Sequence, residues 1–301
     1  MAAEGDAIVT FIYNGQDRAD IPQNITHLII DESITVIPTL LFLGRPNLVE
    51  VYCHAGVIII EEAAFYYCQS LRRVIIPGVI VVGEDVFFDC NNLVFIECGK
   101  LERVGIHAFS GCKSLTSINL PSAITVEIGA FFDCPAMIEA TFGKDLESIG
   151  LGALSYCKSL GSVTIPLKNG LLGEDDLNIF AMCVNLKRVN LVEDEALRDI
   201  SDALLLESWR DNLNEALDSI NQTLPNVAAR SVHDGGKTIA IRGWIRSVRR
   251  KIMHYKVAHR ELLNVAAAVL QLSLPNDTVM NNVLPFLELP AHTFDGEDEA
   301  E

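Results

Sequence analysis

From Ile37 to Leu191 the hydrophobic positions return with one phase: an apolar residue, often a glycine, then Ala-Phe, a cysteine three residues on, a leucine three further, and a short apolar alternation. The Phe slot is held by Phe42, Phe65, Phe87, Phe109, Phe131, Leu154 and Phe180, in steps of 23, 22, 22, 22, 23 and 26 residues. Cys68, Cys90, Cys112, Cys134, Cys157 and Cys183 follow it, with Arg45 in that slot of the first copy. Leu48, Leu71, Leu93, Leu115, Met137, Leu160 and Leu186 come next. A period near 22 predicts a solenoid, because one such copy cannot bury its apolar side except by stacking on its neighbours. The strands are read from Leu71-Val74-Ile76, Leu93-Ile96-Cys98, Leu115-Ile118-Leu120, Leu160-Val163-Ile165 and Leu186-Val189-Leu191, whose alternate residues point inward. Pro77, Pro121 and Pro166 end three of them by removing a backbone donor. Gly83, Gly105 and Gly150 stand where the return arm turns back tightly.

The copy from Ile149 through Gly150, Ala153, Leu154, Cys157, Leu160, Val163 and Ile165 to Pro166 resembles the BspA-type leucine-rich repeat family. The resemblance covers about residues 37–192. It implies an α/β-type repeat solenoid, a right-handed coil with a parallel β-sheet on one face, used for protein recognition; no cofactor is expected. Leu154, Arg45 and Met137 depart from the consensus, and the last copy carries extra residues around Gly173 to Asp176.

Both ends read differently. In residues 1–36, two β-like runs, Ile8 to Tyr13 and Ile25 to Ile30, are separated by Asn14-Gly15-Gln16-Asp17 and Pro22, and are expected to form a short N-terminal β cap. After Leu191 the spacing becomes helical. Leu206, Trp209, Leu213, Ala216, Ile220 and Leu224 mark one helix face; Ile241, Ile245, Val248, Ile252, Tyr255, His259, Leu262, Ala266 and Val269 mark a second, steps of four and three alternating. They predict an α-helical hairpin over 201–272 that closes the coil, with homodimerisation through helix 241–269 as an alternative use of its seam. A short helix over 273–290 and an acidic disordered tail over 291–301 complete the expectation.

In such a coil the strand residues between the inward ones form two solvent-facing columns. The first is Glu50, Arg73, Phe95, Ser117, Glu139, Ser162 and Arg188; the second is Tyr52, Ile75, Glu97, Asn119, Thr141, Thr164 and Asn190. The candidate protein-binding set is Glu50, Tyr52, Arg73, Ile75, Phe95, Glu97, Asn119, Glu139, Arg188 and Asn190. An aromatic centre with a charged rim and an arginine is what binding hot spots favour. A neighbouring loop or the N-terminal segment covering Tyr52, Ile75 and Phe95 is the competing expectation.

Composition narrows the function classes. The 301 residues carry 40 acidic and 23 basic side chains, a net charge of −17, which opposes wrapping nucleic acid or lying on an anionic membrane. No cationic leader precedes an apolar run at the N-terminus, so a reducing compartment, cytoplasm or nucleus, is expected. The eight cysteines include no Cys-x-x-Cys pair and six recur once per copy, which predicts buried free thiols rather than zinc ligands or disulfides. A run from Lys237 to Arg260 holds eight basic and no acidic residues, an alternative phosphate or nucleic-acid contact through the basic helix 237–260. Ser231 to Thr238 imitates a phosphate loop but has serine for its first glycine. Leu274 to Pro290 is similar to the opening helix of an F-box, an alternative role as a ubiquitin-ligase adaptor. No acid, base, nucleophile and oxyanion donor can be grouped by spacing, so no enzyme is expected.

Overall fold

The computed structural model describes residues 8–168, 170–173, 178–192 and 235–270. The chain divides into two compact units, residues 1–192 with 224–242, and residues 193–223 with 243–301. The first unit is a coil of parallel strands. Its front carries β1 (Thr10–Tyr13), β2 (His27–Ile30), β4 (Glu50–Tyr52), β6 (Arg73–Ile75) and β8 (Phe95–Glu97) as one five-stranded sheet. A second front sheet holds β10 (Ser117–Leu120), β12 (Glu139–Phe142), β14 (Ser162–Ile165) and β15 (Arg188–Leu191). The return arm forms a six-stranded sheet from β3 (Val36–Ile37), β5 (Ile59–Ile60), β7 (Val81–Val82), β9 (Arg103–Val104), β11 (Thr125–Val126) and β13 (Ser148–Ile149).

The repeated residues fill the coil as their period predicts. Phe42, Phe65, Phe87, Phe109 and Phe131 are fully buried, and their rings stack at 5.2, 5.4, 5.2 and 5.2 Å between centroids. The thiol of each of the six repeat cysteines donates to the backbone carbonyl of the Phe slot one coil earlier: Cys68 to Phe42, Cys90 to Phe65, Cys112 to Phe87, Cys134 to Phe109, Cys157 to Phe131 and Cys183 to Leu154, at 3.0–3.3 Å. The slot therefore asks for a small donor that tolerates burial, which is what a thiol supplies. Arg45, which replaces it in the first copy, is 1% exposed and donates to the carbonyls of Ile21, Pro22 and Arg18. The larger donor reaches down to the turn below, where there is no earlier Phe carbonyl to meet.

Two glycine effects separate. A Cβ on Gly105 would stand 2.5 Å from the carbonyl carbon of Gly83, so glycine is needed there for close coil-to-coil contact rather than for a special backbone angle. The left-handed conformations fall instead two residues either side of the Phe slot, at Ala63, Asp85 and His107 before it and Tyr67, Asp89, Asp133, Tyr156 and Met182 after it, among others. In the six coils from Phe42 to Leu154 the two bends turn the chain around the side chain of the Phe slot.

The ends of the ladder are closed by side chains. At the N-terminal edge the Gln16 amide donates to the Ile12 carbonyl (3.4 Å) and accepts from the Asn14 N–H (2.9 Å), taking the place of a peptide group from a missing strand. At the other end, the Phe-slot N–H of each earlier coil donates to a carbonyl of the next, as Phe109 does to Ala130. The Phe180 N–H donates instead to the Thr238 hydroxyl (3.2 Å), and the buried Lys237 ammonium donates to the Leu186 carbonyl (2.7 Å). Lys237 and Thr238 open helix α1 (Gly236–Leu270), which runs through the second predicted seam. Buried orphan amides cost stability, so polar side chains at both ends are the expected solution for a finite stack.

The N-terminal segment read as a cap supplies two rungs of the front sheet itself: β1 pairs with β2 and β2 with β4, all parallel and in register. Of the second unit the described part is residues 243–270 of α1, in which Ile245, Val248, Ile252 and His259 are buried while Val257, Val265 and Val269 are exposed. The predicted first helix of the hairpin, the helix over 273–290 and the tail over 291–301 lie outside the described residues.

Candidate protein-binding face

All ten predicted site residues lie on the front strands, in the two columns expected from the alternation. Glu50, Arg73 and Phe95 are register partners in turn, as are Tyr52, Ile75 and Glu97; Asn119 belongs to β10, Glu139 to β12, and Arg188 and Asn190 to β15. Inward neighbours Val51, Val74, Ile118, Ala140, Val163 and Val189 are buried, which fixes the columns to the outer side. Ser162, assigned to the first outward column, is itself buried.

The structure splits the set in two. Among the described residues no backbone hydrogen bond joins β8 to β10, although the return arm stays paired there through β9 and β11. Each of the five strands before the split carries one apolar outward residue, and the four after it carry none. In the second column Ile12 (54% exposed), Ile29 (37%), Tyr52 (50%) and the half-buried Ile75 follow one another in direct register across β1, β2, β4 and β6. Phe95 (46%) and Val94 lie exposed beside the end of that row, and the inward Ile96 is half-exposed at the split. Among the described residues, no loop covers Tyr52 or Phe95. Beyond β8 the outward positions are Ser117, Asn119, Glu139, Thr141, Thr164, Arg188 and Asn190. Sequence reasoning missed Ile12 and Ile29, since their strands carry no Ala-Phe-x-x-Cys motif; the alternation of Ile12 with Tyr13 and Ile29 with Ile30 was the available signal.

Polar groups frame the row. Glu50 Oε2 stands 3.9 Å from His27 Nε2, and the Arg73 guanidinium lies 5.1 Å over the Phe95 ring, a cation-π contact. Desolvation pushes the Cys53 and Cys98 thiols, one residue past β4 and β8, up to about 12, so neither offers a nucleophile to this surface. Cys68 rises to about 12 for the same reason, and Cys90, Cys112, Cys134 and Cys183 are pushed upward as well. All eight cysteines are buried and unpaired.

The basic helix is less available than its sequence suggests. Lys237 is committed to the Leu186 carbonyl and the Arg242 guanidinium donates to the Gly173 carbonyl. Both residues that a phosphate loop would need, Lys237 and Thr238, are buried against the coil. The seam residues Ile241, Ile245, Val248 and Ile252 are buried within one chain, leaving the exposed Val265 and Val269 at its far end. The F-box-like stretch 274–290 lies outside the described residues. No described helix is long and apolar enough to cross a membrane.

A parallel coil of this period with outward strand columns defines a leucine-rich-repeat solenoid. The profile of the BspA type Leucine rich repeat region matches residues 21–94 and 83–205 with six copies, and the chain belongs to that family. Among solved structures it is similar to a leucine-rich repeat protein from Bacteroides ovatus (22% identity, 58% of this chain, 47% of that one, TM-score 0.46). It is similar also to the leucine-rich repeat protein of T. pallidum (23% identity, 55% and 69%, TM-score 0.39) and to the pneumococcal vaccine antigen PcpA (14%, 62% and 72%, TM-score 0.29). The chain spans about half of the Bacteroides ovatus protein. No curated protein matches the sequence.

Proposed function

We propose that this chain is a non-catalytic interaction module whose N-terminal front sheet binds another protein. The carrying observation is the exposed apolar row Ile12, Ile29, Tyr52 and Ile75, continued by Phe95 and rimmed by Glu50, Arg73 and Glu97. Its support is physical: a contiguous apolar strip on rigid strands gains by leaving water, and a rigid aromatic loses little entropy on doing so. The polar columns from Asn119 to Asn190 contribute solubility and, at most, a rim. Within this reading the protein works in a reducing compartment, cytoplasm or nucleus, which eight unpaired cysteines suit.

The test is affinity capture of the tagged full chain from cell extract, read by mass spectrometry, beside the variants Tyr52→Asp and Phe95→Asp. Proteins held by the wild type and released by both variants, with circular dichroism unchanged, are the expected result. Capture that survives both substitutions overturns the assignment.

A further inference from the structure

The structure assigns Asn14 as a site of spontaneous deamidation, in which the Gly15 backbone nitrogen closes a ring on the Asn14 carboxamide and water reopens it as aspartate or isoaspartate. Among the described asparagines only Asn14 precedes a glycine; the others precede leucine, isoleucine, valine or asparagine. A residue without a side chain leaves its own nitrogen open to close approach. Asn14 and Gly15 form the exposed bend that follows β1, where Gly15 takes a φ of +101°.

Both reacting groups are free. Among the described residues the Gly15 N–H donates to no acceptor, and the Asn14 carboxamide makes no hydrogen bond. The carboxamides of Asn92 and Asn185, by contrast, donate to the Gln69 and Lys158 carbonyls at 2.8 Å, which ties them to the preceding coil. What is held at the bend is its frame: the Asn14 N–H donates to Gln16 Oε1 (2.9 Å), and Gln16 Nε2 donates to the Ile12 carbonyl (3.4 Å). This clamp fixes the chain on either side of the Asn14–Gly15 peptide and leaves the N–H of that peptide bare.

The Gly15 nitrogen gives its proton to hydroxide and attacks Asn14 Cγ. The new N–Cγ bond closes a succinimide ring, the Cγ–Nδ2 bond breaks, and the leaving nitrogen takes a proton from water and departs as ammonia. Water then adds to either ring carbonyl. Breaking the N–Cγ bond gives aspartate; breaking the bond to the former backbone carbonyl gives isoaspartate, whose main chain runs through Cβ and is one methylene longer. Either route consumes one water, releases one ammonia and adds one negative charge. The isoaspartyl link lies between Ile12 and Gln16, so the lengthened chain no longer sets the Gln16 carboxamide on both the Ile12 carbonyl and the residue 14 N–H. The modification thereby removes the polar closure of the β1 edge, beside the outward Ile12.

Peptide mapping by mass spectrometry of the full chain, sampled during incubation at 37 °C, reads the rate at each asparagine; Asn169, which also precedes a glycine, is resolved separately. In the folded chain Asn14 is expected to convert at least tenfold faster than Asn92 or Asn185, with isoaspartate among its products and a rate that rises between about pH 7 and 9. Gly15→Ala should slow it at least tenfold. Because that variant strains a left-handed bend, wild type in urea gives a second comparison: unfolding should change the Asn14 rate less than threefold, since the native bend already leaves both groups free. Conversion no faster than at Asn92, or more than threefold slower in the fold than in urea, overturns the site. Hydrogen exchange at the residue 14 amide should be at least tenfold faster in the isoaspartyl form than in the fresh chain, and unchanged in Asn14→Asp, which adds the charge without the methylene. Protection that survives in the isoaspartyl form overturns the loss of the edge closure.

Discussion

Replacing Phe109 by alanine tests the ring stack at its centre. The ring is fully buried, with Phe87 on one side and Phe131 on the other, both at 5.2 Å between centroids. Losing the buried ring and leaving a partly collapsed cavity costs about 3 to 5 kcal/mol. Each broken ring contact is worth roughly 0.5 to 1.5 kcal/mol beyond area, which places Phe109→Ala toward the upper end. The backbone argues the same way: the Phe109 carbonyl accepts the Cys134 thiol, and its N–H donates to Ala130, so rearrangement at this coil disturbs its successor. Urea unfolding followed by circular dichroism gives the magnitude. In a stack whose units touch only their neighbours, a central lesion should also lower the urea dependence of unfolding, as the two halves separate. A loss below about 1 kcal/mol with an unchanged slope would refute the stacked core.

Three further outcomes follow from the same contacts. Thr238→Val removes the acceptor of the Phe180 N–H and should cost about 1 to 3 kcal/mol, measured by thermal unfolding, whereas Thr238→Ser should cost much less. Iodoacetamide at pH 8 should label none of the eight cysteines in the native chain and all eight in denaturant, since they are buried and thiols held near 12 are ionised on the order of one part in ten thousand. Burial raises the Asp85 carboxyl, with His107 partly opposing it, and its Oδ1 is buried without a donor. A raised carboxyl favours the protonated form in the folded state, so its contribution is most favourable below 3.8 and is lost as pH rises through the folded value. Asp85→Asn should therefore raise the melting temperature at pH 7 and leave it little changed at pH 3.

The repeats were legible because each slot has one physical demand: a flat ring at Phe109, a small buried donor at Cys112, a close approach at Gly105. Outward Tyr52 and Phe95 followed from the alternation once Val51 and Ile96 were placed inside. The N-terminal limit of the face was not legible, because the turn between β1 and β2 lacks the Phe and Cys slots and is built around Ile21 and Ile25 instead. Nor was the split between β8 and β10, which leaves no mark on the period, since the return arm keeps its pairing there. Lys237 and Thr238 resemble phosphate-loop residues in sequence; their role as closing groups depends on the orphan Phe180 N–H and Leu186 carbonyl, which exist only once the coil is assembled. The apolar centre at Tyr52, Ile75 and Phe95 was legible from the alternation, and the rungs carrying Ile12 and Ile29 extend it toward the N-terminus.

A photo-crosslinking phenylalanine analogue placed in the full chain, either in place of Tyr52 or in place of Glu139, reads most directly which half of the front binds protein. Illumination in cell extract should give protein adducts from position 52 and few from position 139. Adducts confined to position 139, or equal at both, would contradict the assignment of binding to the apolar rungs.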